Sequence, residues 1–410
     1  MAIGDVIVGI DIGTSKVSTV VGKVNNFKQI EIICNTSCKC NGIRKAQLVD
    51  EKSVAIAIEK SVREAEEIAG FNINSAYFTI PGKYVAIVQN SVEKEIKDRL
   101  DGVSQKDVFD SIKMVREIEM PDEFVLVDIV PDKFVLEDGK IVDDPIGNYC
   151  SKFTLVAQLV LANKDFVKKI QGICKELGIE TDGFVPITLA ERNLVLDTNE
   201  FSDNIMILDV GGGNTDFGVF FGNSFIYTNT LPIGGDNITT DIEYVLQISH
   251  EEAEKLKRQT RLAMKSFINN DHEIVLNTYS GDQPENKTIK SSELVDIIEA
   301  RIEEIFSLVN REITYQGIKS PINTVILTGD GIATIEKADQ AGKIIFNTQV
   351  KVSTARLMTT VKSEYRTSYA LVRYVSQRPF TKRVSSTIDT KTKESIVKVF
   401  FGKIRDFFYS

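Results

Sequence analysis

The sequence predicts an α/β protein of two domains, with a small α+β subdomain inserted in the first half and an amphipathic helix at the C-terminal end. Three observations predict this arrangement. A strand that ends in Asp and leads into a glycine turn occurs twice in the 410 residues, near the start and near the middle. The pattern of residues 83–163 predicts β-α-β-β, unlike the segments around it. Residues 393–410 place their apolar side chains on one helical face.

The central glycine turn belongs to residues 204–216, which read NIMILDVGGGNTD. The apolar run before it is broken only by Asp209, which suits a buried strand with one acid at its end. The glycines at 211–213 permit positive φ and let backbone N–H groups point at an anion. Because Asp209 would repel a phosphate directly, we expect a divalent cation between them. For this stretch alone, a plain glycine-rich hairpin turn is the alternative.

Residues 6–16 repeat the pattern and read VIVGIDIGTSK. Asp11 again ends an apolar strand, and a turn with glycine and hydroxyl residues follows. A second β-rich segment comes after each turn, so each turn is predicted to close a hairpin. Two such hairpins facing each other across a cleft would clamp the phosphates of a nucleotide from both sides. The sequence contains neither the P-loop motif nor the dinucleotide-binding fingerprint.

The composition is that of an ordinary globular protein, with 42% hydrophobic and 26% charged residues. The net charge of −9 argues against nucleic acid as a partner. We expect no secretory signal and no membrane-spanning segment. Cys34, Cys38 and Cys40 could supply three ligands to a metal ion, but the sequence offers no evident fourth ligand. Reduced thiols are therefore the favoured interpretation.

The end of the chain differs from the rest. Residues 376–392 are rich in Ser, Thr and basic side chains and predict a flexible linker. From residue 376 onward the net charge is +5, which leaves −14 for the remainder. The apolar side chains of the terminal helix fall in an arc of about 140°; they are Ile396, Val397, Phe400, Phe401, Ile404, Phe407 and Phe408. The opposite side includes Lys398, Lys403 and Arg405. An in-plane membrane anchor is the favoured interpretation, and a helix that docks on the body is the alternative.

Several motifs resemble the FtsA family, within the actin, sugar kinase and DnaK-type chaperone superfamily. They extend along nearly the whole chain: GIDIGTSK, the insert ending in Asp144-Pro145-Ile146-Gly147, LDVGGGNTDFGVF, LPIGGDNITTDI, AEKLK, IIEARIEEI, LTGDG and the terminal amphipathic helix. The resemblance implies an actin-like body of two α/β domains around an ATP cleft. It also implies that the inserted subdomain replaces one found in actin.

The resemblance divides the chain into segments. They are 1–82 and 164–200 for the first-half core, 83–163 for the insert, 201–242 and 317–375 for the second-half core, 243–316 for its tip subdomain, 376–392 for the linker and 393–410 for the anchor. The patterns also predict one helix over 238–259 and another over 332–341.

The resemblance also implies the site. The ATP-binding residues would be Gly13, Thr14, Ser15 and Lys16 in the first turn; Gly211, Gly212, Gly213, Asn214 and Thr215 in the second; and Gly235, Glu254, Lys257, Gly329, Asp330 and Gly331 around the nucleoside. Asp11 and Asp209 would hold Mg²⁺, mostly through water. By spacing alone, Glu254 and Lys257 indicate a solvated ion pair. No catalytic residue is assigned. Two departures are Val185, where many relatives carry an acid before the proline, and Asp330, where a glycine is usual.

The function implied is that of a cell-division protein that binds ATP and Mg²⁺ and polymerises. It would tether the FtsZ ring through residues 243–316 and grip an anionic membrane through 393–410, on the cytoplasmic face at the division site. Other division proteins would bind the insert. We expect nucleotide binding and assembly, with at most weak ATPase activity. The alternatives are a small-molecule kinase of the same superfamily and a PilM-type pilus-assembly ATPase.

Overall fold

The computed structural model describes residues 4–27, 29–97, 102–196, 203–280, 283–318, 320–353 and 362–378, without the side chains of 277–286. The described chain builds three sheets of four or five strands, each with an apolar core beside it.

The first half is a five-stranded sheet in the order β11-β6-β1-β2-β3, covered by helices. Its elements are β1 (Val6–Ile12), β2 (Lys16–Val24), β3 (Ile30–Lys39), β4 (Ile43–Arg44), β5 (Gln47–Leu48), α1 (Glu51–Ala69), β6 (Ser75–Ile80), α3 (Lys164–Glu176), β11 (Glu180–Pro186) and α4 (Ile187–Val195). The strands β1, β2 and β3 form an antiparallel meander, whereas β6 and β11 run parallel to β1.

The insert leaves the first half after β6 and returns to it at α3. It consists of β7 (Val85–Glu95), α2 (Gln105–Val115), β8 (Phe124–Leu136), β9 (Ile141–Val142) and β10 (Lys152–Asn163). The sheet order is β7-β10-β8-β9, and α2 closes a separate apolar core over it. Ser104 caps α2 by accepting a hydrogen bond from the N–H of Asp107, whose carboxylate accepts in return from the N–H of Ser104.

The second half repeats the topology of the first. Its elements are β12 (Asn204–Val210), β13 (Thr215–Phe221), β14 (Ser224–Leu231), α5 (Gly235–Leu246), α6 (His250–Thr260), β15 (Glu273–Ser280), β16 (Gln283–Lys290), α7 (Ser291–Tyr315), β17 (Thr324–Thr328), α8 (Ala338–Phe346) and β18 (Gln349–Val352). Three antiparallel strands, β14-β13-β12, are again followed by two parallel ones, β17 and β18. The chain therefore contains the same sheet twice, with a glycine turn after the first strand of each.

The last described helix, α9 (Arg366–Gln377), packs on the first sheet although it follows the second half in sequence. Gly9 permits this close approach, because a Cβ there would lie 2.8 Å from the side chain of Val372. At the far end of α9, the Tyr374 hydroxyl donates to the buried carboxylate of Asp128 in the insert at 2.9 Å. Arg378 pairs with the same carboxylate. The helix thus joins the insert to the first half.

Two predicted helices differ from the structure. Residues 238–259 are not one helix, because Gln247 adopts a left-handed conformation (φ 57°) that ends α5, and Ser249 caps a new helix, α6. The helix predicted at 332–341 begins only at 338. Glu336 pairs with Leu262 as an isolated bridge, and Lys337 has a positive φ of 66°, so the backbone is not helical before Ala338.

Candidate functional site

The two glycine turns have the same backbone geometry. We call residues 13–16 the first turn, between β1 and β2, and residues 211–214 the second turn, between β12 and β13. In both, the N–H of the first residue donates to the carbonyl of the fourth at 2.9 Å. Asp11 and Asp209 each lie two residues before their turn. The repeated sequence pattern is therefore a repeated structure.

The two turns face each other and touch. The N–H of Gly213 donates to the hydroxyl oxygen of Thr14 at 3.2 Å. A Cβ at Gly213 would lie 2.9 Å from that oxygen, so a larger residue would push the turns apart. The hydrogen bond joins the two halves of the molecule, and we call the region between the two turns and the strands β1 and β12 the cleft.

A third turn, residues 329–331, packs on the second one. Gly329 has a φ of +99°, and a Cβ there would lie 2.1 Å from the carbonyl oxygen of Val210. The N–H of Gly331 donates to the same oxygen at 2.8 Å. Between these glycines, the Asp330 carboxylate lies 3.9 Å from the Lys16 ammonium of the first turn. All three turns thus meet at one place.

The N-terminus of α5 closes the site from the second half. The N–H of Gly235 donates to the Gly211 carbonyl at 2.9 Å, and the N–H of Asp236 donates to that of Gly212 at 2.8 Å. These bonds fix the positive end of the helix dipole beside the second turn. The field of this helix end favours an anion at the turns.

Glu254 and Lys257 support the start of α5. The Lys257 ammonium is buried and donates to the Gly235 carbonyl at 3.0 Å, to the Thr239 hydroxyl at 2.7 Å and to Glu254 at 2.7 Å. Burial raises the pKa of Glu254, but hydrogen bonds from Lys257, Thr239 and Arg258 outweigh it and lower that pKa to about 2. The pair is a partly buried network behind the turns, and it is not the solvated pair that spacing alone indicates.

Asp11 and Asp209 lie at the floor of the cleft with different partners. The Thr79 hydroxyl donates to Oδ1 of Asp11 at 2.6 Å, and the Arg366 guanidinium donates to Oδ1 of Asp209 at 3.2 Å. Burial raises the pKa of Asp11, although the hydrogen bond from Thr79 and the positive charges of Lys16 and Arg366 each act to lower it. Burial also raises the pKa of Asp209, and Arg366 opposes this rise.

Arg366 connects the cleft floor to a second buried acid. Its Nε donates to Oε1 of Glu191 on α4 at 3.3 Å. Burial raises the pKa of Glu191 well above its usual range; the nearby Asp209 adds to the rise and Arg366 opposes it. Among the described residues, Oε2 of Glu191 has no hydrogen-bond partner.

Beside these acids, Asp216 makes another contact between the halves. Its buried carboxylate accepts hydrogen bonds from the N–H of Gly82 at 3.0 Å and from the Thr230 hydroxyl at 2.5 Å. Burial raises the pKa of Asp216 to about 7, although both hydrogen bonds lower it. A Cβ at Gly82 would lie 2.5 Å from the Thr228 hydroxyl, so glycine is needed for the backbones to meet here.

Comparison with known proteins gives the family. A model described as "Cell division protein FtsA" matches residues 206–370, and one described as "SHS2 domain inserted in FTSA" matches residues 82–161. The cell division protein FtsA of Escherichia coli (strain K12) is 26% identical over 366 residues, which cover 88% of this chain and 86% of the relative. FtsA of Bacillus subtilis (strain 168) is 26% identical over 367 residues, 90% of this chain and 82% of the relative. The chain belongs to the FtsA family.

Solved structures show the fold of this FtsA-family chain. The PilM-PilN type IV pilus biogenesis complex aligns with a TM-score of 0.56 and 14% identity over 90% of this chain and 97% of the other. MreB5 of Spiroplasma citri bound to ADP aligns with a TM-score of 0.53 and 12% identity over 90% and 95%. The predicted actin-like fold with an inserted subdomain is confirmed. The predicted role as an actin-like cell-division protein is confirmed by the FtsA relatives, whereas the likeness to PilM is one of fold.

The residues predicted for the nucleotide site lie at the three turns, next to them or behind them, but the side chains of Ser15, Asn214 and Thr215 make no contact with the opposite turn in any hydrogen bond described above. The side chain of Ser15 is exposed, and its carbonyl accepts the N–H of Cys40 at 3.0 Å. Thr215 is fully buried and donates to the carbonyl of Ile233 at 2.7 Å, so its hydroxyl serves the second half internally. Oδ1 of Asn214 is buried and has no partner among the described residues.

The predicted membrane-anchor residues, from Ile396 to Phe408, lie outside the described residues. Among the described helices, none is both long and apolar enough to span a membrane. The interpretation of this FtsA-family chain's terminal segment therefore still rests on its sequence pattern.

Sequence reasoning missed Arg366, Glu191 and Thr79. Arg366 begins a helix whose buried face includes Ala370 and Leu371, and a charged residue on such a face is a signal that could have indicated a buried partner. The position before the proline at the start of α4 is Val185, which is buried. Six residues later, Glu191 on α4 supplies an acid that Arg366 links to Asp209.

Proposed function

We propose that this FtsA-family chain binds ATP between its first and second turns and uses the bound nucleotide to assemble on a membrane. The observation that supports this most is the contact between Gly213 and Thr14, because it brings two turns of identical geometry together from the two halves. Phosphate oxygens inserted there would accept the hydrogen bond from the Gly213 N–H that Thr14 now accepts, and would accept a second hydrogen bond from the Thr14 hydroxyl. The turns would thereby hold one triphosphate from both sides.

The surroundings of the turns suit an anionic nucleotide. Lys16 supplies a partly exposed ammonium, and the N-terminus of α5 supplies the positive end of a helix. The nucleoside would pass the backbone of the third turn, where Gly329 and Gly331 present no side chain. Lys257 and Glu254, which hold the start of α5 in place, would flank it from behind.

The acids fit a magnesium ion bound mostly through water. Thr79 and Arg366 contact Oδ1 of Asp11 and of Asp209, so in the described part of the chain the second oxygen of each carboxylate is open to a metal or its water ligands. Among the described residues, no group of three or more His, Cys, Asp or Glu side chains is arranged to hold a metal alone, which agrees with a metal that depends on phosphate oxygens. Mg²⁺ would neutralise phosphate charge beside these acids.

Nucleotide binding would set the angle between the halves. Polar contacts join the halves at the turns: the Gly213–Thr14 bond, the Lys16–Asp330 pair, the Arg366–Asp209 pair and the bonds to Asp216. Apolar side chains of the second half, such as Ile207 and Phe220, also pack in the first-half core. A triphosphate gripped by both halves adds to them and favours one closed shape. A constant shape is what end-to-end stacking into protofilaments requires.

The terminal segment 393–410 would attach such filaments to an anionic membrane. Fully burying one Phe side chain is worth about 1.5–3 kcal/mol, and a helix lying in the interface recovers only part of this per residue. One tail therefore binds reversibly, whereas many tails on one filament bind with high avidity. Assembly and attachment would reinforce each other.

The tip subdomain, residues 243–316, is proposed to bind the C-terminal peptide of FtsZ. Its start exposes Tyr244 and Val245, which are 83% and 53% accessible. Exposed aromatic and aliphatic side chains on a helix are suited to an apolar peptide. The insert, which has its own core, would bind other division proteins. Localisation would be peripheral, on the cytoplasmic face of the membrane at the division site.

Calorimetry with ATP and Mg²⁺ tests the nucleotide site, and electron microscopy on a lipid monolayer with and without ATP tests assembly. We expect nucleotide uptake and filaments that form on the lipid only when nucleotide is present. Deleting 393–410 should leave ATP binding intact and abolish co-sedimentation with anionic liposomes; a truncated chain that still pellets with them would refute the anchor.

The PilM-type alternative is separated from this proposal by the partner. A pull-down with FtsZ and its C-terminal peptide should succeed for the full chain and fail for a variant altered in the tip subdomain, such as Tyr244→Glu. A kinase of the same superfamily would instead turn over small-molecule acceptors and would form no filaments.

A further inference from the structure

Arg366 occupies an unusual position in the cleft floor. It is the first residue of α9, is only 7% exposed, and lies between acids from both halves of the molecule. Asp209 is the penultimate residue of β12 in the second half, and Glu191 belongs to α4 in the first. Its guanidinium contacts the former at 3.2 Å and the latter at 3.3 Å.

The charges around Arg366 explain its presence. Asp11 and Asp330 lie close enough to act on it electrostatically, in addition to its two direct partners. Lys16 also acts electrostatically on Asp11 and Asp209. A buried carboxylate without a counter-charge is strongly unfavourable. A guanidinium keeps its charge at any accessible pH and cannot diffuse away, unlike a metal ion.

We propose that Arg366 is a tethered cation that sets the metal requirement of the nucleotide site. By holding one oxygen of Asp209, it supplies positive charge that Mg²⁺ and Lys16 would otherwise have to provide, and it lowers the dependence of nucleotide binding on Mg²⁺. The inference rests on the proposed function, since it concerns the same site. Arg366 is a positioning residue here: it acts on the ligand through Asp209.

Two consequences follow. Without Arg366, Asp209 presents its full charge to the triphosphate, so nucleotide binding depends more strongly on Mg²⁺. At the same time the repulsion between the guanidinium and a divalent ion is removed, so the metal alone binds more tightly to Asp209 in the absence of nucleotide.

The test compares Arg366→Met/Glu191→Gln with Glu191→Gln alone. The second substitution removes the other buried charge, so the pair of variants differs only in the cation. For each protein the Kd for ATP is measured with saturating Mg²⁺ and with EDTA. The ratio of the Kd in EDTA to the Kd in Mg²⁺ measures how strongly binding depends on the metal. This ratio should be larger in the double variant by about tenfold or more, the factor expected for a charge-assisted contact. Equal ratios would overturn the proposal.

Two further variants keep the proposal testable if the double variant does not fold. Arg366→Gln keeps a hydrogen-bond donor for Asp209 but no charge, and its ratio should rise as in the double variant. Arg366→Lys keeps the charge, and its ratio should stay near that of the native chain. A ratio for Arg366→Lys as high as that for Arg366→Gln would show that shape, not charge, matters, and would also overturn the proposal.

A readout without nucleotide separates this inference from the proposed function. Binding of Mn²⁺ alone, followed by electron paramagnetic resonance, should be tighter in Arg366→Gln than in the native chain. Tighter Mn²⁺ binding supports the tethered cation even if ATP does not bind to any of the proteins, a result that would refute only the nucleotide function. Unchanged Mn²⁺ binding would count against the tethered cation whatever the ATP result.

Discussion

Thr14 and Gly213 are 199 residues apart in sequence, and a hydrogen bond of 3.2 Å joins them across the cleft. Each belongs to a four-residue turn closed by the same backbone bond, in the same place of two sheets with the same strand order. The candidate site is therefore built from an internal structural repeat. What can bind there depends on how closely the two turns approach each other.

That approach gives the first prediction. Gly213→Ala should weaken ATP binding by about tenfold or more, because the new methyl group would lie 2.9 Å from the Thr14 oxygen and must separate the turns that grip the phosphates. Calorimetry with ATP and Mg²⁺ measures the change. Gly172→Ala is the matched control, since nothing lies within 4 Å of a Cβ there and the residue is helical. Equal affinities of the two variants would contradict the prediction.

The second prediction concerns the buried cation behind the turns. Lys257→Met should lower the free energy of unfolding by about 2–3 kcal/mol, because Thr239, Glu254 and the Gly235 carbonyl lose a shared donor. The loss is not larger because Glu254 is partly exposed, so water can solvate its carboxylate. Urea unfolding measures it. Lys255→Met on the exposed side of the same helix should change stability by no more than about 0.5 kcal/mol. Similar losses for both variants would argue that Lys257 makes no special contribution.

The third prediction follows from the aspartate in the third turn. Asp330→Asn should strengthen ATP binding by about two- to fivefold, because it releases Lys16 toward the phosphates and removes one negative charge from the cleft. The gain should shrink as salt is raised, since both side chains are partly exposed. Asp339→Asn, which breaks a comparable pair with Lys343 at 3.7 Å within α8, is the control and should leave affinity unchanged. Weaker binding by Asp330→Asn would indicate instead that this carboxylate contacts the ligand favourably.

The fourth prediction is a pH dependence of stability from Asp182, on the β11 strand of the first sheet. Burial raises its pKa to about 6, a hydrogen bond from Ser75 opposes the rise, and Glu180 adds to it. Because the folded state then holds the proton more tightly than the unfolded one, this group's stabilising contribution is complete below about pH 4 and is lost as pH rises through about 6.

The contribution amounts to at most about 3 kcal/mol. Asp182→Asn should flatten the dependence over this window, so that the variant gains stability relative to the native chain from pH 4 to pH 7. Urea unfolding at a series of pH values measures both. Parallel pH profiles for the two proteins would mean that Asp182 does not titrate with a raised pKa.

Much of the fold followed from local patterns. The strand-to-glycine turns at 13–16 and 211–214 were readable because a turn's backbone needs residues that permit its φ values and N–H directions, and these needs are met within a few residues. The end of α1 is local in the same sense, because Gly70 ends the helix with a φ of 77°, which glycine adopts without steric strain.

The sequence could not reveal the interior of the cleft. Arg366 is 157 residues from Asp209 and 175 from Glu191, and no local pattern connects them. For Lys257 and Glu254, the spacing correctly predicted an ion pair, but it predicted a solvated one. Their burial could not be predicted, because it depends on α5, which packs over them. Burial and partner choice are decided by which helix covers which sheet.

By itself, then, the sequence determined the two turns, their acids and the apolar face of the terminal segment, because each is a property of neighbouring residues. Only the tertiary structure decided that the turns touch, that Asp209 is held by an arginine from the last described helix, and that Asp330 faces Lys16. These depend on bringing distant segments into one low-dielectric space, where the position of each charge is fixed by the packing of the whole chain.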